Sequence, residues 1–313
     1  MFNSYAAQQF NVSNFITFDI EEWHHANYEG KTESGGNGIS KLVENVESLL
    51  DLCDEHKTRA TCFILGCVAR DKPEVVRLIL DRGHEVASHG FNHELVYKLT
   101  PVRFREDVSK AKATLEDITG DVVRGYRAPS WSVTRQIMAW FYDTLAETGY
   151  SYSSSVYPGR THLFGIPDFP SFPHYPNLGK KRTSILEIPQ TMTTVCGKKI
   201  AFSGGFFLRL LPTKFIRRNI DRANRKGLPV FIYLHPREID VDSPRLSLSL
   251  VNRFIHYYNI TNTRDKLSEV MSGHEFILMK DYRVFNIARN SNNRNNEAKG
   301  HPTDKIENAS YKT

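Results

Sequence analysis

Two spacings of apolar residues organise the chain. Compact apolar runs bounded by Gly, Pro and polar clusters predict strands, and stretches with apolar residues three and four apart predict helices. The run at residues 15–18 predicts a strand that delivers Asp19 and Glu21 at its far end, on one face if the backbone stays extended. Residues 29–38, rich in Gly and Ser, read as a loop. A helix is expected over 39–52 and a strand over 60–65. Asp71-Lys72-Pro73 then opens a second helix, with Val75, Val76, Leu78 and Ile79 as its apolar stripe and Gly83 as its end. Residues 84–88 give the third strand.

The pattern continues with a helix from Thr100-Pro101 to Ile118, closed by Gly120. A strand at 122–126 hands over Arg127, and Ser132 or Thr134 is the expected N-cap of a helix reaching Thr148. Short strands are expected at 149–155 and 185–188, with no assignable element from 157 to 176. Residues 202–207 read as a turn into a helical region at 212–226. A strand at 229–234 places His235-Pro236 at its tip, and helices at 247–258 and 262–272 with a closing strand at 276–279 finish the pattern.

Strand followed by helix, repeated, is the rhythm of a parallel sheet. Several of these strands end in chemically useful polar residues, the rule of (β/α) barrels, and the Gly-rich phosphate loop of many doubly wound sheets is missing. The expected fold is therefore α/β, a distorted (β/α) barrel with fewer than eight regular units. Residues 1–13 form a polar extension, 14–282 one domain, and 283–313 a tail poor in apolar residues and expected to be disordered.

Composition narrows the function. With 40% hydrophobic and 24% charged residues over 313 positions, the chain is an ordinary globule with a sizeable core. It shows no basic, apolar leader pattern and no apolar run long enough to span a bilayer, so the expected location is the cytoplasm. Cys53, Cys62, Cys67 and Cys196 contain no CxxC pair, and no disulfide framework is implied. The formal charge of +6 is spread out and accompanies no nucleic-acid module, which argues against a nucleic-acid partner.

The candidate chemistry lies at the strand ends. In Ser88-His89-Gly90-Phe91-Asn92-His93, His89 stands at the end of the third strand and His93 is expected one helical turn further on, so that both imidazoles point at one ion. Phe18-Asp19-Ile20-Glu21-Glu22-Trp23 offers the carboxylate, from Glu21 or Glu22. Two histidines and one carboxylate hold a divalent ion and leave room for water and a substrate oxygen. Hydrolysis further needs a base for the water and an acid for the leaving nitrogen, and Asp19 and His235 suit those tasks.

In order and spacing these motifs resemble the polysaccharide deacetylases of the NodB-homology (carbohydrate esterase 4) type, within them the branch found in exopolysaccharide and surface-glycan loci. Residues 15–23, 88–93, Arg127-Ala128-Pro129-Ser130 and Tyr233-Leu234-His235-Pro236-Arg237-Glu238-Ile239-Asp240 correspond to successive family motifs. Phe202-Ser203-Gly204-Gly205 and Arg209-Leu210-Leu211-Pro212 resemble the branch's C-terminal signature. The resemblance spans about residues 14–282. It implies a divalent metal, usually zinc, with Glu21, His89 and His93 as ligands, Asp19 as base, Arg127 orienting it, and His235 as acid. Two departures stand out. The family usually has an aspartate as metal ligand, often directly after the base, where this chain has Ile20. It also tends to hold the acid histidine with an aspartate where this chain has Ser153, so Ser153 or a water is expected to give His235 a weaker hydrogen bond.

The implied activity is removal of an N-acetyl group from an amino sugar during cell-surface polysaccharide synthesis. The substrate would be an N-acetylated sugar, a nucleotide-sugar or a lipid-linked glycan. Trp23 and Trp131, which follow two of the motifs, are expected as walls of a sugar groove. A non-catalytic glycan-binding protein on the same fold is the alternative. A glycosidase with paired carboxylates would leave the two histidines without work.

Overall fold

Continuous apolar runs buried on both faces are what a parallel sheet requires, and the strongest of them form its centre. The computed structural model describes residues 12–25, 27, 40–161, 165–179 and 181–282, so the expected loop at 29–38 and the polar tail lie outside the described residues, as does most of the N-terminal extension. Strand β1 (Phe15–Ile20) is buried throughout. It is followed by α1 (Leu42–Glu55), β2 (Thr61–Ile64), α2 (Gly66–Asp71), α3 (Pro73–Asp81) and β3 (Glu85–Ser88). Next come α4 (Pro101–Thr119), β4 (Gly125–Tyr126), α5 (Met138–Glu147) and β5 (Tyr152–Ser153). Two short strands, β6 (Asn177–Leu178) and β7 (Lys181–Arg182), precede β8 (Leu186–Glu187), β9 (Met192–Val195) and β10 (Lys198–Ala201). The described part closes with α6 (Gly205–Leu210), α7 (Thr213–Arg225), β11 (Phe231–Leu234), α8 (Leu250–Tyr257) and α9 (Thr263–Met271).

Seven strands make one sheet in the order β11-β1-β2-β3-β4-β5-β8, and every pairing in it is parallel. The sheet is a curled half-barrel with β11 and β8 as its edges, in keeping with the expected incomplete barrel. Parallel register brings all the carboxyl ends to one rim, where Glu21, His89, Arg127 and His235 follow their strands within a residue. The compact unit runs to Met279. Among the described residues no helix is long and apolar enough to cross a membrane.

Local signals explain most elements. Thr100 caps α4 by accepting from the Arg103 N–H at 3.3 Å, as Thr-Pro at the start predicts. α1 buries Leu42, Val46, Leu49, Leu50, Leu52 and Cys53 along one stripe. Two expectations need correction, and two elements were not expected. Gly66–Asp71, for which no element was expected, is the helix α2, whose first N–H groups bond Gly90 O and Phe91 O. Neither Ser132 nor Thr134 caps α5: the helix starts at Met138, and the Ser132 hydroxyl instead accepts from the Val96 N–H. The strand expected at 276–279 is reduced to a single bridge from Phe276 to Asn14. The hairpin β9–β10 was not expected, because its polar Thr and Lys residues carry no apolar alternation. Its two-residue turn, Cys196-Gly197, has φ of 46° and 75°, the left-handed pair that lets two strands reverse without splaying.

Two buried histidines outside the rim contribute to the protein's response to acid. His84 Nδ1 accepts the Ala60 N–H at 3.0 Å, so that nitrogen must be unprotonated, and burial pushes its pKa down to about 4. Burial likewise lowers His256, to about 3. Because the folded values lie below the unfolded one near 6.5, the unfolded chain takes up protons first as pH falls. The stability these residues lend is complete above pH 6.5 and is lost toward pH 4, by at most about 1.4 kcal/mol per pH unit for each histidine. Urea unfolding across that window should show the decline. In His84→Asn, whose amide oxygen can accept the Ala60 N–H without titrating, the slope should be shallower by one proton; an unchanged slope would assign the decline to other groups.

Candidate metal and catalytic centre

Glu21, His89 and His93 are all buried, and each offers a ligand-type atom within 4.8 Å of the others. Their elements explain how they meet. Glu21 leaves the end of β1 and His89 the end of β3, two strands separated only by β2. His93 arrives differently from expectation. It is not one helical turn beyond His89 but sits in a tight loop with φ of 60°, fixed by the start of α2 on one side and by Asp107 on the other, whose carboxylate accepts the Phe91 N–H at 3.0 Å.

Protonation suits a cation. His89 Nδ1 lies 2.9 Å from the Arg127 carbonyl, which can only accept, so Nδ1 carries the proton and the Nε2 lone pair is free. Burial lowers the His89 pKa to about 4, which keeps the ring neutral at pH 7. Burial opposes ionisation of Glu21, yet His93, Arg237 and His235 hold its pKa well below the usual carboxylate value. Glu21 Oε2 lies 2.8 Å from His93 Nε2, is buried, and has no hydrogen bond of acceptable geometry. A buried carboxylate oxygen facing two imidazoles without a donor is what a bound cation would satisfy. Its other oxygen pairs with the Arg237 guanidinium, which leaves Oε2 as the ligand atom.

The open choice between the two glutamates is resolved by their partners. The Glu22 carboxylate accepts from the Ser40 hydroxyl at 2.6 Å and pairs with Lys72 at 3.2 Å, away from the histidines.

Asp19 and Arg127 form a buried pair beside the ligand cluster. Arg127, fully buried, donates to Asp19 Oδ1 at 2.5 Å, to the Thr17 hydroxyl at 3.0 Å and to the Ser154 hydroxyl at 3.2 Å. Its guanidinium rests 4.0 Å above the Phe63 ring. The second Asp19 oxygen is 4.0 Å from His235 Nε2, and that nitrogen is 3.6 Å from Glu21. All six expected polar residues thus meet at one rim.

Ser153 does not hold His235. Its hydroxyl donates to Ser155 Oγ at 2.7 Å, while His235 Nδ1 meets Glu238 at 2.9 Å. The two tryptophans also separate. Trp23, half-buried in a short 3-10 turn, lines a cleft with Glu21, Leu42, Asn45, Arg237 and Asp240. Trp131 is only 8% exposed, with its ring centroid 4.5 Å from that of Tyr233 and 5.4 Å from the Arg127 guanidinium, so it buttresses the centre and offers little open face for a pyranose. Arg237 and Glu238 had been given no role. The signal for Glu238 was there: an acid three residues after the residue that starts a helical turn is the capping-box spacing.

Known proteins resemble this chain in sequence and in fold. The polysaccharide deacetylase family matches residues 15–152, and a domain of unknown function, DUF3473, matches residues 154–283. A peptidoglycan deacetylase of Helicobacter pylori is 29% identical over 131 residues, 41% of this chain and 42% of its own. A chitooligosaccharide deacetylase of a Bradyrhizobium strain is 28% identical over 92 residues, 29% of this chain and 42% of its own. The matches span less than half the length of these curated relatives. A crystal structure of a Mycobacterium smegmatis protein assigned as a polysaccharide deacetylase superposes with a TM-score of 0.57 at 19% identity, covering 92% of this chain and 94% of that one. Its likeness bears on the fold. Residues 15–152 thus form a polysaccharide deacetylase domain, of the NodB-homology or carbohydrate esterase 4 type, and residues 154–283 a DUF3473 domain.

Proposed function

We propose that this protein is a zinc-dependent N-deacetylase acting on an amino sugar of a cell-surface polysaccharide under construction. The observation that carries the reading is the meeting of Asp19, Glu21, His89, His93, Arg127 and His235 at one rim. Glu21, His89 and His93 would hold the ion, which when bound polarises the amide carbonyl and acidifies water. Asp19, steadied by Arg127, takes a proton from the attacking water. His235 Nε2, on the same side of the cluster, gives a proton to the departing amine nitrogen. Trp23 lies where a sugar ring entering the cleft would rest on it. The names of relatives, a peptidoglycan deacetylase and a chitooligosaccharide deacetylase, support a substrate among N-acetylglucosamine-type glycans, free, nucleotide-linked or lipid-linked.

The test is acetate release across a panel of UDP-linked, lipid-linked and polymeric N-acetyl sugars. Acetate should appear with at least one of them, vanish with chelator and return with added zinc. His235→Ala should lower kcat by about 10²- to 10⁴-fold, the usual share of a positioned acid. Zinc bound at one per chain with no acetate from any sugar would instead identify a glycan-binding protein, and release of reducing sugar a glycosidase.

A further inference from the structure

The polysaccharide deacetylase match stops at residue 152, and His235 stands in the stretch matched by the domain of unknown function. Several features of that stretch converge on this one ring. Glu238 Oε2 accepts from the His235 backbone N–H at 3.0 Å and lies 2.9 Å from its Nδ1. Oε1 of the same carboxylate receives Arg209 NH2 at 3.0 Å. Arg209, also buried, gives its remaining Nη hydrogens to the carbonyls of Ile255, His256 and Tyr258 at 2.9, 3.1 and 2.6 Å. The Gly204 that precedes this arginine sits against β11, where an added Cβ would lie 2.3 Å from the Tyr233 ring and 2.4 Å from its carbonyl oxygen. The C-terminal signature residues, Gly204 and Arg209, therefore press on the strand and the carboxylate that carry His235.

We propose that the DUF3473 region completes the catalytic centre, with Glu238 and Arg209 as positioning residues that fix the His235 ring with its Nδ1–H on Glu238 and its Nε2 turned to Asp19 and Glu21. This rests on the deacetylase reading above. A carboxylate accepts and cannot donate, so Nδ1 keeps its proton in either charge state of the ring. Nε2 is then the atom that exchanges: in the donating step its N–H bond breaks as the amine N–H bond forms, and neutral imidazole with Nδ1–H remains. Arg209 in turn fixes the carboxylate. Burial disfavours the charge on Glu238, but Arg209 and His235 hold its pKa well below the usual carboxylate range, so it acts as a permanent anion. The family's usual aspartate is thus replaced by a glutamate from the same turn as the histidine.

The experiment uses the full-length, zinc-loaded protein. Glu238→Gln keeps the shape of the side chain and should leave zinc content and KM within about twofold while kcat falls about 10- to 100-fold, part of what a positioned acid contributes. In wild type labelled with 15N-histidine, one ring signal, identified by its loss in His235→Ala, should report Nδ1–H with a strongly downfield proton. That proton should move upfield in Glu238→Gln. An unchanged kcat in Glu238→Gln, a change confined to KM, or a His235 signal with the proton on Nε2 alone would overturn the proposal. Should Glu238→Gln fail to fold, the tautomer read from wild type and His235→Ala decides. A wild type that releases no acetate from any sugar refutes the deacetylase reading, and the same spectra still accept or reject the pairing of His235 with Glu238.

Discussion

His93→Ala is expected to bring bound zinc from about one per chain to near zero, and acetate release with it, in a protein that remains folded. In the proposed site the ring is one of three protein ligands, and changes even to groups that merely orient a ligand usually lower metal affinity 10- to 100-fold. Removing the ligand itself should exceed that. The fold should survive because the loop that carries His93 is fixed by backbone bonds from α2 and by Asp107, not by the ring. Glu22→Gln is the matched comparison: its carboxylate faces Ser40 and Lys72, so zinc should stay. Metal analysis after gel filtration, with circular dichroism for folding, separates the outcomes. Zinc near one per chain in folded His93→Ala would dismiss the assigned site.

Arg127→Met should be the most destabilising single change at the rim, by about 3–5 kcal/mol, since it leaves the buried Asp19 carboxylate without its cation. Thr17 and Ser154 would lose their guanidinium partner as well. Adding Asp19→Asn removes the stranded charge, so the double variant should regain part of the loss while remaining inactive. Urea midpoints of the three proteins check this. A loss under about 1 kcal/mol in Arg127→Met would mean that the pair behaves like a solvated surface bridge.

The sheet and the rim were legible from sequence because they rest on local signals. Buried parallel strands read as unbroken apolar runs, and the polar residue after each run falls at a carboxyl end whichever way the loops travel. Spacing alone does not distinguish a helical turn from a tight loop, so His93 was placed in the centre by the wrong backbone. A left-handed φ at a non-glycine residue leaves no compositional mark. Ser153 misled for another reason: it stands where the family resemblance implies an aspartate, while the carboxylate that reaches His235 comes from three residues further along its own turn. Trp131 was taken for an open wall because an aromatic after a motif carries no information about what packs on it. Tyr233 and Arg127 do, from β11 and β4.

The pairing of β1 with β11 bears on how the protein is made. β1 lies inside the sheet, yet one of its two neighbours is separated from it by most of the chain: the Thr17 hydroxyl bonds the carbonyl of Ile232, 215 residues on. Such contacts raise contact order and slow folding. Until residues 231–234 leave the ribosome, β1 exposes an unpaired edge of backbone N–H and C=O groups, the kind that pairs with other chains. The strand that covers this edge also brings His235, so the nascent chain gains its proposed proton donor in the same event that covers the edge of β1.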